Sequence, residues 1–197
     1  MPLTRDETRG SGLALAIDLI NTWDELEPEP DLIEGLADVR TWLEWHGLST
    51  AAKRMEEADV EPVRSLRARF DRVFDAGDEA EAAGRLNELA REHGTPPVLE
   101  RADGGWRLRS WPDEGEGLPA VAAYATAGLL GAFQELGWAR FGRCAAGPCR
   151  CAFVDRSRNR SRRYCCTLCA DRVAPARYRA RRREASRPRA AEAGRGG

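Results

Sequence analysis

The chain has 197 residues, with 31 basic and 32 acidic side chains, and therefore a formal charge of −1 at neutral pH. This length buries one hydrophobic core and leaves room for a small appendage. No apolar run approaches the roughly eighteen residues of a membrane span, and the N-terminus lacks the apolar segment of a secretory signal. We therefore expect a cytoplasmic protein with no membrane segment.

A strongly apolar stretch, residues 12–25, follows a polar N-terminus. Its alternation would suit a strand, but its alanine and leucine content favours a helix, and we predict a helix. Three polar residues lie within this stretch or at the end of its apolar part: Asp18, Asn21 and Thr22. Buried polar groups need partners. These residues therefore either cap a neighbouring backbone segment or line a pocket for a small ligand.

Helical patterns continue over the next seventy or so residues, where apolar side chains recur at helical spacing. The predicted helices are residues 31–46, capped by Asp31 and ended by Gly47; residues 49–58; a longer helix with Pro62 in its first turn, ended by Gly77; and residues 79–92. The clearest apolar stripe is that of the longer helix, at Val63, Leu66, Phe70, Val73 and Phe74. The two histidines, His46 and His93, lie at helix ends, where we expect capping or solvated roles.

Strand periodicity replaces helical periodicity at residue 98, and two strands, 98–101 and 106–111, are predicted around a turn at 102–105. Residues 118–136 then form the most apolar helix. We expect this helix to cross the core, and its small residues should permit close packing against a neighbour. Gly137 leads from it directly toward the first cysteine, so a rigid junction should follow. The predicted fold class is mainly α with a small β-hairpin.

All six cysteines lie between residues 144 and 169, in two groups. Their positions are Cys144, Cys149, Cys151, Cys165, Cys166 and Cys169. Clustered thiols in a chain without a secretory signal indicate a metal rather than disulfides. A tetrahedral zinc site takes two sulfurs from each of two short loops, which favours Cys144, Cys149, Cys165 and Cys169. Cys166 offers the commoner tight spacing with Cys169, and Cys151 could replace Cys149.

The polar residues between the cysteines resemble those of the CGNR zinc finger family. The matching positions are Cys144, Cys149, Phe153, Asp155, Ser157, Asn159, Ser161, Arg163, Cys165, Cys169 and Arg172. Family members have an asparagine before the final arginine, where this chain has Asp171. The resemblance implies a zinc ion held by Cys144, Cys149, Cys165 and Cys169, and it leaves Cys151 and Cys166 as extra thiols.

A second resemblance lies near the N-terminus and is to the opening of the ABATE domain. The matching residues are Leu15, Ala16, Asp18, Leu19, Asn21 and Thr22, and a second, shorter match lies at Trp42, Leu43, Gly47 and Leu48. That domain commonly precedes a CGNR finger and is described as a stress-induced transcription regulator. The two resemblances imply an α-helical regulatory domain at 1–139 and a small four-cysteine zinc finger at 140–185, which the sequence pattern ends with an arginine-rich helix. The proline, alanine, glycine and arginine content of residues 186–197 predicts a disordered basic tail.

Basic residues concentrate beside the cysteines. Residues 140–197 contain seventeen arginines and four acidic residues, whereas residues 1–139 contain fourteen basic and twenty-eight acidic residues. Arginines at this density repel one another unless a polyanion neutralises them, and arginine binds phosphate oxygens and the guanine edge. We predict an arginine-rich helix from Ala170, starting close before Pro175, that binds duplex DNA. The candidate contacts are Arg156, Arg158, Arg160, Arg162, Arg163, Arg172, Arg177, Arg179, Arg181, Arg182 and Arg183.

The predicted function is that of a zinc-dependent, DNA-binding transcription regulator whose N-terminal domain senses a signal, binds a partner or forms a homodimer. The sequence has no glycine-rich phosphate loop, nucleophile elbow or metal-hydrolase motif, so we do not expect an enzyme. One alternative is an RNA-binding or ribosome-associated zinc protein, since the sequence of an arginine-rich zinc module does not show whether it binds DNA or RNA. Another is a redox sensor that uses Cys151 or Cys166.

Overall fold

The computed structural model describes residues 11–94, 98–102, 105–109 and 117–175. Helices α1 to α6 are Gly12–Ile20, Leu36–Trp45, Ser49–Arg54, Val60–Phe74, Glu79–His93 and Leu118–Leu136, and α7 covers residues 167–175. Strands β1 to β4 are Val98–Ala102, Gly105–Arg109, Phe141–Arg143 and Ala152–Val154, paired antiparallel as β1–β2 and β3–β4. Short 3-10 turns cover Glu57–Asp59 and Trp138–Arg140. The mainly α fold with a small hairpin is confirmed.

Helices α1 and α6 cross at the centre of the core, and every residue of α1 is buried. The crossing point is made by Gly12 and Gly128. A Cβ atom built on Gly128 would lie 2.1 Å from the backbone nitrogen of Leu13. One built on Gly12 would lie 2.1 Å from the carbonyl oxygen of Tyr124. The backbones are therefore in direct contact, which confirms the prediction that small residues permit close packing.

The remaining helices surround this pair. Helix α5 packs on α6 and α4, and α4 also contacts α1. The stripe on α4 is buried as predicted, at Val63, Leu66, Phe70, Val73 and Phe74. Two residues of β4, Ala152 and Val154, belong to the same hydrophobic core. The body (residues 11–136) and the finger (residues 141–175) therefore share buried apolar surface. Among the described residues, no helix has the length and hydropathy needed to cross a bilayer.

The start of α2 differs from the prediction, because the helix begins at Leu36 rather than at Asp31. The carboxylate of Asp31 accepts hydrogen bonds from the N–H of Ile33 at 3.0 Å and from Nη2 of Arg67 at 2.7 Å. Burial raises the pKa of Asp31, but the hydrogen bonds from Arg67 and Ile33 outweigh burial, and the net shift is downward. Asp31 is thus used to fix Arg67 of α4 and does not cap α2.

Three further boundaries differ. Helix α1 ends at Ile20, whereas the predicted helix covers residues 12–25. Helix α3 ends at Arg54 rather than near residue 58, and a 3-10 turn follows it. Helix α7 begins at residue 167, inside the second cysteine group, and not at Ala170. Pro175 therefore lies in its third turn, so the expectation that the helix starts close before this proline is wrong. This start places Cys169 in the first turn of α7, with its sulfur 3.7 Å from Cys165 Sγ. Several predicted features fall outside the described residues: Arg177, Arg179, Arg181, Arg182, Arg183 and the tail at 186–197.

Candidate metal centre

Four buried thiols converge in the finger, those of Cys144, Cys149, Cys165 and Cys169, whose sulfur atoms all lie within 4.8 Å of one another. Cys165 Sγ is 3.7 Å from both Cys149 Sγ and Cys169 Sγ. A tetrahedral zinc ion with Zn–S bonds of about 2.3 Å separates its sulfurs by roughly 3.8 Å, whereas a disulfide needs about 2.05 Å. All six cysteines are free. The spacing therefore fits zinc and not a disulfide pair.

The first two thiols lie on the loop between β3 and β4. Cys144 directly follows β3, and its N–H donates to the carbonyl oxygen of Cys151 at 2.9 Å. The chain then turns back at Ala146, which is fully buried and accepts a hydrogen bond from the N–H of Cys149 at 3.2 Å. This short turn aims the sulfurs of Cys144 and Cys149 at the same point.

The second two thiols lie at the start of α7. Cys169 is in its first turn, and Cys165 precedes the helix by two residues. Arg172, further along α7, donates a hydrogen bond to the carbonyl oxygen of Ala146 and lies 3.9 Å from Cys169 Sγ. Partners behind metal ligands orient those ligands and tune the metal. Arg172 therefore joins the two halves of the site and places a positive charge beside one sulfur.

Three of the four thiols have raised pKa values when no cation is present, and the fourth, that of Cys144, has a lowered pKa. Burial raises the pKa of Cys149, and burial with the neighbouring Cys165 raises the pKa of Cys169 to about 12. Interaction with Cys151, together with burial, raises the pKa of Cys165. Burial also raises the pKa of Cys144, but hydrogen bonds from the N–H groups of Cys165 and Ala146 outweigh it and lower the pKa. A bound divalent cation would lower the pKa of all four thiols, because its positive charge stabilises the deprotonated form of its ligands.

Side chains packed around the sulfurs complete the finger. Phe153 is buried against the cysteines, and Tyr164 and Val173 pack on the same cluster. The guanidinium of Arg162 lies 4.9 Å from the ring centre of Phe153 and donates to the carbonyl oxygens of Tyr164 at 3.1 Å and Cys165 at 2.5 Å. The structure thus places Arg162, a predicted nucleic-acid contact, against the finger itself.

Asp155 organises the loop between β4 and α7. Its carboxylate is buried and accepts hydrogen bonds from the N–H groups of Ser157 at 2.7 Å and Arg162 at 2.9 Å. Burial raises the pKa of Asp155, but these hydrogen bonds outweigh it and lower the pKa. Ser157 Oγ accepts from the N–H of Ser161 at 3.2 Å. Asp155 and Ser157 therefore shape this loop through hydrogen bonds from backbone N–H groups to their side chains.

Five predicted contact arginines of the described finger are exposed: Arg156, Arg158, Arg160, Arg163 and Arg172. The first four lie on the loop that Asp155 organises. Within the described residues, none of these four forms an ion pair with a carboxylate. Arg140 is bound into the finger instead, because its guanidinium donates to the carbonyl oxygens of Asp155 and Ser157. The zinc site and the Asp155 turn therefore hold a group of exposed positive charges on one loop.

The finger is fixed to the body through Asn21, just after α1. Asn21 Nδ2 donates to the carbonyl oxygen of Ala152 at 3.1 Å, and Asn21 Oδ1 accepts from the N–H of Ala152 at 2.7 Å. Both hydrogen bonds are buried, and together they pair the backbone N–H and the carbonyl oxygen of Ala152 in β4. Of the two interpretations of the polar residues near α1, capping of a neighbouring backbone segment therefore describes Asn21.

Asp18 and Thr22 face other partners. Asp18 Oδ2 lies 3.1 Å from Nε2 of His46, and both side chains are buried. Thr22 Oγ1 donates to the carbonyl oxygen of Leu19 at 2.7 Å and accepts from Arg67 Nη1 at 3.1 Å. The three candidate pocket residues therefore do not converge on one site. His46 occupies the C-cap of α2, as a capping residue, but it is not solvated.

A second joint, which the sequence patterns did not indicate, is made by Arg143 immediately before the first cysteine. Its guanidinium donates to the Asp71 carboxylate at 2.6 Å, to the Asp71 carbonyl oxygen at 2.9 Å and to the Asp75 carboxylate at 3.0 Å. It also lies 5.7 Å from the ring centre of Phe74. A cation is favourable at the C-terminal end of a helix such as α4. Arg143 therefore anchors the zinc loop to the body.

Comparison with known families accounts for both parts of the chain. Residues 13–132 match the ABATE family, described as "Putative stress-induced transcription regulator". The chain belongs to the ABATE family. Residues 140–182 of this ABATE protein match the CGNR zinc finger, whose cofactor is the zinc ion that the four thiols can hold. Neither description names an enzymatic activity. Comparison with curated proteins found no match.

The Asn21 joint leads to a prediction for this ABATE protein. Asn21→Asp removes the donor to the Ala152 carbonyl and sets a carboxylate against that oxygen, so finger and body should separate more readily. We expect the free energy that holds the finger on the body to fall by about 1–3 kcal/mol, which is the cost of leaving buried polar groups without hydrogen-bond partners. Hydrogen exchange of the Ala152 amide measures this, and its protection should fall about fivefold or more. Asn87→Asp on exposed α5 is the matched control. Unchanged protection in Asn21→Asp would show that the joint carries no stability.

Proposed function

We propose that this ABATE protein is a DNA-binding transcription regulator in which zinc holds an arginine-rich loop against duplex DNA. The observation that carries the proposal is the set of exposed loop arginines, Arg156, Arg158, Arg160 and Arg163, which lack acidic partners within the described residues. Other arginines of the protein, such as Arg67 and Arg143, are paired with aspartates. A fold that pairs its structural arginines and leaves these unpaired is suited to a polyanion.

The electrostatics support nucleic acid rather than a small anion. Arginines that neutralise phosphates release condensed counterions, so binding weakens as salt rises. The loop arginines lie within eight residues of chain, and Arg172 adds a further charge from α7. The arginines at 177, 179 and 181–183 would extend the same charge along the chain. Half or more of such contacts go to phosphates and fix position rather than sequence. Base-reading residues are therefore a small part of the set.

The body supplies the regulatory part of the proposal. We infer that residues 1–139 sense a signal or bind a partner, including a second copy of the chain. The two joints at Asn21 and Arg143 would carry a change in the body to the zinc loop, since both end beside the first cysteine group. Sedimentation of the full chain over a concentration series tests self-association directly, because a dimer appears as a species of twice the chain mass.

Neutralising two loop arginines should weaken DNA binding and flatten its salt dependence. The double variant Arg158→Gln with Arg160→Gln removes two exposed charges, so the slope of log affinity against log salt should fall by about 2. Fluorescence anisotropy with a labelled duplex between low and physiological salt measures the slope. Folding and zinc content should stay unchanged, since neither guanidinium bonds the finger within the described residues.

The matched control is Arg91→Gln, which removes an exposed charge from α5 of the body. Its salt slope should equal that of the unmodified protein. The same titrations with a structured RNA decide between the two nucleic acids. Tighter and less salt-dependent binding to RNA would overturn the choice of DNA and favour the RNA-binding alternative. An unchanged slope in the double variant would show that these arginines do not touch the duplex.

A further inference from the structure

A cavity of about 420 Å³ lies between the body and the finger. The body borders it with Trp23, just after α1, and with Arg67 and Ala68 of α4. The finger borders it with Arg143, Arg150 and Cys151. Small-molecule sites occur preferentially at such interfaces, and this volume falls within their usual range of roughly 300–1,000 Å³. The cavity also lies beside the Asn21 and Arg143 joints, so an occupant would touch both parts of the protein.

One arginine at the cavity remains available to an anion. Four arginines and two carboxylates border the cavity, and three further carboxylates, those of Asp31, Glu61 and Asp75, pair with these arginines. Arg67 and Arg143 are held in place by Asp31 and Asp71, and so are preorganised. Arg150 is different, because its side chain is 62% exposed and its contact among the described residues is a 3.5 Å ion pair with Asp75. A guanidinium has five N–H donors. Arg150 therefore retains donors for a bidentate carboxylate.

An aromatic surface lies at the same cavity. Trp23 is 50% exposed, although its ring is positioned by the guanidinium of Arg67, whose Cζ lies 5.5 Å from the ring centre. Exposed tryptophans that are held rigidly provide large contact areas for planar groups. Ala68 and buried Cys151 add apolar wall. The cavity has the volume that roughly fourteen water molecules occupy in the liquid, and one inorganic anion would not fill it.

We propose that this cavity binds a small aromatic carboxylate. The carboxylate pairs with Arg150 at the finger side, and the planar ring lies against Trp23 at the body side. Such a ligand contacts both parts at once, and its binding stabilises their docked arrangement. This site uses none of the four zinc thiols and none of the exposed loop arginines. The proposal therefore goes beyond DNA binding and does not depend on it.

The test uses the zinc-loaded full chain and calorimetric titration with two probes, benzoate and indole-3-acetate. We expect saturable one-site binding of at least one of them, and no binding of benzamide, which has the ring but not the charge. Inorganic phosphate should neither bind at the same concentrations nor displace the probe. Binding of benzoate should also change tryptophan fluorescence, and this change should be absent in Trp23→Leu.

Arg150→Gln should weaken probe binding at least tenfold, since a charge-assisted bidentate contact is lost. Arg91→Gln, an exposed arginine that does not border the cavity, should leave it unchanged. The proposal is overturned if neither probe binds saturably up to roughly 20 mM, about the weakest affinity expected of such a small fragment. It is equally overturned if benzamide or phosphate binds as well as the carboxylates, or if Arg150→Gln binds like the unmodified protein. DNA affinity plays no part in any of these readouts.

Discussion

Replacing Cys169 by serine is expected to remove zinc from the protein and unfold the finger while the ABATE body stays folded. The four thiols lie at tetrahedral zinc spacing, and losing one leaves an incomplete site. The finger's own apolar cluster is small, consisting mainly of the cysteines themselves with Ala146 and Phe153. Structural zinc contributes about 10–16 kcal/mol of folding free energy in peptide systems at neutral pH. No other interaction among the finger's described residues can replace that contribution.

Two measurements check this result. Zinc per chain, determined by mass spectrometry of the metal, should fall from one to near zero in Cys169→Ser. Hydrogen exchange should show lost protection over residues 144–175, while α1, α4 and α6 remain protected. The matched control is Cys166→Ser, because Cys166 is outside the four-thiol cluster and half-buried. Full zinc content in Cys169→Ser would contradict the ligand set.

The same control addresses the redox alternative. Cys166 Sγ lies 3.8 Å from Cys165 Sγ, so oxidation by a peroxide could join the two thiols and release zinc. If mild peroxide releases zinc from the unmodified protein but not from Cys166→Ser, the alternative gains support. Equal release in the unmodified protein, in Cys166→Ser and in Cys151→Ser would remove it.

Gly128→Ala is expected to destabilise the body by about 3 kcal/mol or more. The added Cβ would stand 2.1 Å from the backbone nitrogen of Leu13, a distance that no rotamer change relieves. Helices α1 and α6 would have to separate, and α1 is buried along its whole length. Forcing extra volume into a close-packed core commonly costs about 1–3 kcal/mol, and backbone displacement adds to this. Urea unfolding followed by circular dichroism should show a lower midpoint.

Gly131→Ala is the matched control, on the same helix and one turn further along. A Cβ built on Gly131 meets no atom within 4 Å apart from its chain neighbours and the backbone of its own helix, and the residue is exposed. Alanine is favoured over glycine in a helix interior by roughly 0.8–1 kcal/mol, so this variant should be slightly more stable than the unmodified protein. Equal stability of the Gly128 and Gly131 variants would contradict the close crossing of α1 and α6.

The sequence was informative where side-chain periodicity or local spacing determines structure. The predicted bounds of α6 are those observed, because an uninterrupted apolar pattern begins after Gly117 and stops at Gly137. The thiol cluster could be predicted because ligand spacing within each loop is a local property. In both cases, residues close together in the chain carry the whole signal.

Long-range partners could not be predicted in the same way. Asn21 bonds a residue 131 positions away, and Arg143 bonds Asp71 across 72 positions. The periodicity of apolar residues along the sequence carries no information about such distant pairs. Asp31 resembles a helix cap in sequence, but its pairing with Arg67 makes it a tertiary contact. Arg162 belongs to a run of arginines, yet its guanidinium lies on Phe153. Charge patterning counts arginines without distinguishing those that bind their own fold.

The most direct measurement of the central claim compares duplex DNA affinity of the same protein with zinc bound, after removal of zinc by a chelator, and after zinc is restored. We expect binding in the first state, an affinity at least tenfold lower in the second because the exposed arginines are no longer held together, and recovery in the third. Equal affinity in all three states, or no duplex binding by the zinc-loaded protein at low salt, would contradict it.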